Sequence, residues 1–275
     1  MRKQKPVLRV RAYILAAIGI ILLIHIVSML TLDRSIQYTE TELVSERLSP
    51  SLDGYVIAFI TDTHTFPEEE ACSVVRHINE RGADLLLLGG DHAQDGTVGD
   101  LMAILAEAEV TDGIYGVEGN HDDFQELFTA MRQHGITPLD NDGVQLQDGL
   151  YLAGVADLWN RTPDIRQATE GASKDDFVLL LCHNPDVNMQ QNTERADLIL
   201  SGHTHGGHAT LFGLWAPALT LRDTITSYGQ QFMQGWCKGA YGTDVFVSRG
   251  AGWFKNTPRV FARPEVVYIT LRSAT

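Results

Sequence analysis

Residues 55–92 read YVIAFITDTHTFPEEEACSVVRHINERGADLLLLGGDH. Tyr55–Thr61 is a short, nearly unbroken apolar run, as expected of a strand buried on both faces. Pro67 with Glu68, Glu69 and Glu70 opens a helix over Pro67–Glu80, since proline suits the first turn and carboxylates suit the positive end of the helix dipole. Asp84–Leu88 is a second short buried strand. Outward from this unit the same alternation continues: helical Val98–Glu109, a strand at Ile114–Val117, and amphipathic Phe124–Gln133. Past Thr137 the pattern becomes hairpin-like, with Val144–Gln147, an Asp148-Gly149 turn and Leu150–Val155. Phe177–Cys182, Leu198–Ser201, Asp244–Ser248 and Glu265–Leu271 complete the predicted strands. Strands alternating with helices imply an α/β domain, and the later hairpins imply a second, mixed sheet.

Toward the N-terminus the character changes. Tyr13–Leu32 (YILAAIGIILLIHIVSMLTL) carries no charge, and only His25, Ser28 and Thr31 are clearly polar. At about 1.5 Å per residue such a helix matches the hydrocarbon thickness of a bilayer. A cleaved signal peptide would have an apolar core of about 7–15 residues followed by a small-x-small site, and no such site comes after this stretch. An uncleaved signal anchor over residues 13–32 is the reading adopted. Arg2, Lys3, Lys5, Arg9 and Arg11 precede the span, while Glu40, Glu42 and Glu46 lie beyond it. The positive-inside rule then makes residues 1–12 a basic cytoplasmic terminus and places the domain outside the cell membrane. Residues 33–52 are polar, end in Ser49-Pro50-Ser51, and are expected to be a tether, leaving 53–275 as the domain.

From Asp33 onward 16 basic residues face 35 acidic ones. Long nucleic acids are therefore poor partners, because phosphate contacts need clustered Lys and Arg. Three cysteines at unrelated spacings form neither a disulfide framework nor a zinc ribbon.

The chemistry lies just past the strands. The first strand runs into Asp62-Thr63-His64 and the second into Gly89-Gly90-Asp91-His92. The third runs into Gly119-Asn120-His121-Asp122, FVLLLC into His183-Asn184, and LILS into Gly202-His203-Thr204-His205-Gly206-Gly207. Each cluster alone is a weak signal. Together, at the carboxyl ends of strands in an α/β sheet, they converge on one crevice. Carboxylates, an amide and imidazoles without a required thiolate suit Mn²⁺, Fe or Zn²⁺ in open sites. Seven such side chains are too many for one ion and suit two that share a carboxylate. A pair of ions about 3.5–4 Å apart can activate a water and clamp a phosphoryl group for in-line attack.

The order D-x-H, G-D, G-N-H-D, H, G-H-x-H over residues 56–207 resembles the calcineurin-like metallophosphoesterases. The tail, with Phe246–Gly250 and Arg263-Pro264-Glu265, resembles a bacterial branch that carries an N-terminal membrane or export segment. That branch includes phosphodiesterases and relatives of the UDP-diacylglucosamine pyrophosphatases. The resemblance implies a four-layer α/β/β/α sandwich of two mixed sheets, here preceded by one transmembrane helix. It implies Asp62, His64, Asp91 and His205 as ligands of one divalent ion. Asp91 would be shared with a second ion, held also by Asn120, His183 and His203. His121 would protonate the leaving oxygen, Asp122 would orient His121, and a metal-bridging hydroxide would be the nucleophile. The expected substrate is a small or lipid-linked phosphate ester, cleaved at a phosphodiester or pyrophosphate bond. A phosphomonoesterase and a catalytically idle scaffold of the same fold are the alternatives.

Several residues depart from the pattern or stand beside it. His92 is a spare ligand or, by preference, an outward-facing ring; His208 stands where Gln is more usual and could touch substrate. Gln94 replaces the Tyr ligand of purple acid phosphatases, which disfavours that subclass. Cys182 is expected in the core, and nothing in the spacing supports a Cys72–Cys237 disulfide. Trp215, Trp236 and Trp253 come after the metal motifs and fit either core packing or a rim for an apolar substrate. Arg249 and Arg259 are expected to be solvated.

Overall fold

The computed structural model describes residues 4–92, 98–221, 225–254 and 257–274, with side chains from residue 9 onward. Five strands lead: β1 (Gln37–Ser45), β2 (Val56–Ile60), β3 (Leu85–Leu88), β4 (Ile114–Gly116) and β5 (Thr137–Pro138). Six more come next as β6 (Asp142–Gln147), β7 (Leu150–Gly154), β8 (Phe177–Leu181), β9 (Leu198–Ser201), β10 (Gly235–Lys238) and β11 (Asp244–Val247). The last, β12 (Glu265–Ser273), returns to the first group. They form two six-stranded sheets, ordered β1-β12-β2-β3-β4-β5 and β10-β11-β9-β8-β7-β6. Sheet one is parallel from β2 to β5, and β12 runs antiparallel to β2. Sheet two is parallel through β11, β9, β8 and β7, with an antiparallel strand at each edge.

The strands are apolar throughout because both faces are covered. Ile57, Phe59, Leu85 and Leu87 of sheet one meet Leu152, Leu179, Leu200 and Phe246 of sheet two in a central layer. The alternate residues Ala58, Ile60, Leu86 and Leu88 pack outward on α2 (Glu68–Arg81), α3 (Val98–Leu105) and α4 (Phe124–Gln133). Tyr151, Val178, Leu180 and Ile199 form the outer face of sheet two, against Ile165, Val187 and Phe232. The result is the expected four-layer sandwich of two mixed sheets. Gly82 ends α2 in the left-handed conformation, and the Asp123 carboxylate caps α4 by accepting from the Gln125 and Glu126 amides.

The N-terminal helix α1 (Gln4–Leu30) is long and apolar enough to cross a membrane, and from Arg9 onward little of it is covered by the rest of the chain. The segment after α1 is not a tether. Residues 37–45 are β1, paired in parallel register with β12 from Gln37↔Glu265 to Ser45↔Ser273. The domain therefore begins at residue 37 rather than 53. Only Leu43 of this edge strand is buried, while Glu40 and Glu42 point outward to Arg81 and Arg272. A charged edge guards against further pairing and leaves little hydrophobic signal to read.

Candidate metal centre and active site

Every predicted ligand sits just beyond a strand's carboxyl end. β2 delivers Asp62 and His64, β3 delivers Asp91, and β4 delivers Asn120 with His121. β8 delivers His183, and β9 delivers His203 and His205. Two buried groups result, Asp62–His64–His205 and Asp91–His183–His203, each with donor atoms within 4.8 Å of one another. His64 Nε2 lies 3.0 Å from His205 Nε2, and His205 Nε2 lies 3.4 Å from Asp62 Oδ1. In the other group His183 Nε2 is 3.2 Å from Asp91 Oδ2. The same Asp91 oxygen is 3.6 Å from His64 Nε2, so Asp91 stands between the groups.

These residues fit a pair of divalent cations. Asn120 Oδ1 is buried without a hydrogen-bond partner among the described residues, a costly arrangement unless something else satisfies it. Two rings are aimed through their other nitrogen: His183 Nδ1 bonds the Gly89 carbonyl at 2.8 Å, and His203 Nε2 bonds the Ile225 carbonyl at 2.8 Å. That pattern turns the other nitrogen of each ring toward the site, where it can serve as a donor to a cation once it carries no proton. The backbone bends sharply to present the set. Asp62, His64, Asp91, His203 and His205 all have positive φ, between 40° and 71°. Such conformations cost about 1–3 kcal/mol each and persist only where the surroundings enforce them. Gly119 and Gly202 are part of that enforcement, because a Cβ on either would strike the carboxylate of Asp91 or Asp62 respectively.

Burial pushes the His64 and His203 pKa values down to about 3 and keeps His205 well below the ordinary range, so all three are neutral. It raises Asp62 to about 6, with the Asp91 charge adding to the rise. Burial also opposes ionisation of Asp91, yet His183, His64 and the His121 amide outweigh it and hold this carboxyl well below its usual range. Its partner moves the other way. Burial disfavours the charged imidazole of His183, but the Asp91 carboxylate dominates and raises its pKa well above the ordinary value.

Asp91 and the groups around it open into a cleft of about 630 Å³. Asn120, His121, His203 and His205 line its polar side, and Trp159, Pro217, Leu221, Ile225 and Phe254 its apolar side. His121 is exposed there, its ring 5.0 Å from Phe254 and 5.5 Å from His64, while its amide donates to Asp91 Oδ1. His208 also lines the cleft, stacked at 4.5 Å on His205.

Other side chains sit differently from their sequence expectations. His92 does not face outward. It is buried behind Asp91, with Nε2 accepting from the Gly90 amide and Nδ1 3.2 Å from Thr63 Oγ1. Arg259 is not solvated either; it is buried, donates to the carbonyls of Arg249, Gly252 and Ala262, and meets His205 Nδ1 at 3.2 Å. Arg249 is largely covered and pairs with the buried carboxylate of Glu265. The described bonds of Asp122 run to the amides of Asp91, His92 and Gly119, which clasps the second motif loop to the third. Burial and the Asp91 charge raise Asp122 to about 7. Trp159 escaped sequence reading, although it lies past the carboxyl end of β7 as the ligands lie past theirs; its ring meets His203 edge-on at 4.5 Å. Cys182 is in the core as expected, and Cys72, Cys182 and Cys237 are free thiols. Gln94 lies outside the described residues.

Paired carboxylate–imidazole groups past the strand ends of two facing mixed sheets are the arrangement expected of a metallophosphoesterase. The profile of the calcineurin-like phosphoesterases matches residues 55–207, more than half of the chain, and the chain belongs to that family. Among curated relatives, an uncharacterized metallophosphoesterase of Helicobacter pylori is 27% identical over 246 residues, covering 84% of this chain and 63% of its own. The metallophosphoesterase YkuE of Bacillus subtilis is 28% identical over 256 residues, with 86% of each chain covered. A transmembrane protein with metallophosphoesterase domain from Danio rerio is 28% identical, covering 86% of this chain and 57% of its own. This chain thus spans about three-fifths of the length of the Helicobacter and Danio proteins.

Proposed function

We propose that the chain is a membrane-anchored phosphoesterase that uses two divalent cations to hydrolyse phosphodiester or pyrophosphate bonds in small or lipid-linked substrates. The observation that supports this most directly is the convergence of two buried donor groups on Asp91, with an exposed imidazole beside them. Asp62, His64, Asp91 and His205 would hold one ion, and Asp91, Asn120, His183 and His203 the other. Mn²⁺ is the favoured metal and Fe or Zn²⁺ the alternatives, since the donors are oxygen and imidazole nitrogen. Bound there, two such ions would lower the pKa of a water and screen the phosphoryl charge. His121, at the edge of this cluster, would hand a proton to the departing oxygen. Asp122 supports it by holding the Gly119–Asp122 loop against the Asp91 loop. The apolar wall of Trp159, Leu221, Ile225 and Phe254 suits the organic or lipid portion of a substrate. The helix α1 would span the membrane with its basic start in the cytoplasm, leaving the domain outside.

The test uses the full chain in detergent micelles loaded with Mn²⁺, comparing an aryl phosphodiester with the matching aryl phosphomonoester. Preferential diester turnover, abolished in Asp91→Asn, is expected. Preferential monoester turnover would overturn the bond class, and no turnover with two ions bound would favour an idle scaffold.

A further inference from the structure

We infer that the turn Leu211–Trp215, with Phe261 beside it, is a second membrane contact that seats the catalytic cleft at the level of the lipid headgroups. The inference rests on α1 being the membrane span. The ring of His25 meets Phe212 at 4.7 Å and Phe261 at 4.9 Å, and these two phenyl rings meet each other at 5.3 Å. His25 precedes the end of α1, Leu30, by five residues, a rise of about 8 Å. Both phenyl rings therefore sit beside the apolar span itself, below the point where the helix ends. The cluster also explains the lone imidazole in that span: its Nδ1 bonds the Ile21 carbonyl and its ring is covered by the two aromatics.

The turn is built to present apolar side chains. Leu211 and Trp215 pair across it, and its tip, Phe212-Gly213, has positive φ at both residues. Phe261 has positive φ as well. A bulky residue in that region is strained, and strain of this kind collects where function requires it. The turn is also held firmly, because the Thr210 amide and hydroxyl donate to the Val260 and Phe261 carbonyls while the Thr210 hydroxyl accepts from the Gly213 amide. Yet its surface is bare: Leu214 is 82% exposed, Leu211 47% and Trp215 42%. No charged residue occurs between Ala209 and Leu221 in a chain of net charge −14. An uncharged, rigid, aromatic-bearing knob that continues the exposed apolar surface of α1 is suited to the bilayer interface, where Trp and Phe partition. The same segment leads into Pro217, Ala218 and Leu221 on the apolar wall of the cleft, so the knob and the cleft mouth are neighbours.

The test reconstitutes the full chain in phosphatidylcholine vesicles with Cys72 and Cys237 replaced by Ser and one fluorophore-labelled cysteine. The label is placed at Leu214→Cys or, as an aqueous control just past the end of α3, at Glu107→Cys. Vesicle flotation reports the anchor independently, and neither readout depends on activity. The expected result is several-fold weaker quenching by aqueous iodide at 214 than at 107, with quenching at 214 by spin-labelled lipid. Equal iodide quenching at both positions in chains that float would overturn the inference while leaving the anchor and the phosphoesterase reading intact.

Discussion

The two sheets make unlike contributions to one cleft. Sheet one supplies both carboxylates, Asp62 and Asp91, together with His64 and the amide of Asn120; sheet two supplies the other three imidazoles, His183, His203 and His205, and no acid to either group. Neither sheet completes a group alone, since each group joins a carboxylate from one to imidazole from the other. The groups also store their proton in different places. In the Asp62 group it goes to the carboxylate only on acidification, since burial raises that carboxyl to about 6 beside neutral rings. In the Asp91 group it belongs to the imidazole of His183, because Asp91 is held ionised. The difference teaches that burial alone does not set the charge state here; the shared position of Asp91, facing two rings at once, reverses it.

Substitutions at the shared residue should break this arrangement most severely. Asp91→Asn is expected to abolish turnover and reduce bound metal by more than one ion per chain, whereas Asp62→Asn or His183→Asn should each cost one ion. Metal analysis after gel filtration checks the stoichiometry, and equal losses in all three variants would remove the distinction between shared and unshared ligands. Next in size, His121→Asn should keep both ions and lose about 10²- to 10⁴-fold in rate on alkyl esters. The loss on nitrophenyl esters should be smaller, since a good leaving group needs less protonation. Identical losses on both would remove His121 as the acid.

Acidification separates the groups by their protons. Between pH 7 and pH 5 the Asp62 group should weaken its hold on a cation about tenfold, as a carboxylate titrating near 6 takes up a proton that metal must displace. The Asp91 group should weaken about tenfold per pH unit throughout, a hundredfold in all, since His183 carries its proton across the whole range. Equilibrium dialysis at several pH values would show whether the two slopes differ. Of similar size but in stability alone, Gly119→Ala should cost about 1–3 kcal/mol, because its methyl meets Asp91 in a packed site. A thermal melt of the metal-free chain would register this as a lowered Tm.

Much of the fold and site was legible in the sequence wherever a signal was local. Apolar runs located the central parallel strands to within a residue or two while missing β1, the two-residue β5 and β10, and Asp62 to His205 lay at the strand ends in motif order. What escaped was decided by distant partners. The strand β1 has only Leu43 buried, so its register with β12 is visible from pairing and not from periodicity. His92 and Arg259 looked like solvated side chains because Thr63, which meets His92, and His205, which meets Arg259, come from other loops. Trp159 lacks a motif of its own, and only the fold carries it to His203.

The pairing of β1 with β12 bears on how far the cleft can travel. A flexible segment over residues 33–52 would have let the domain wander by about 25 Å, taking roughly 5–6 Å times the square root of its length. Instead residues 31–36 alone separate α1 from the sheet, and a 3₁₀ turn at Leu32–Arg34 occupies half of them. Asp33 ties that turn in both directions, accepting from Ser28 of the helix and from the Phe261 amide of the domain. With α1 in a bilayer, the cleft would be confined to a thin layer at one height above it. Such an enzyme would meet its substrates as a count per unit of surface, by sideways diffusion, and their bulk concentration would matter only through what reaches that layer.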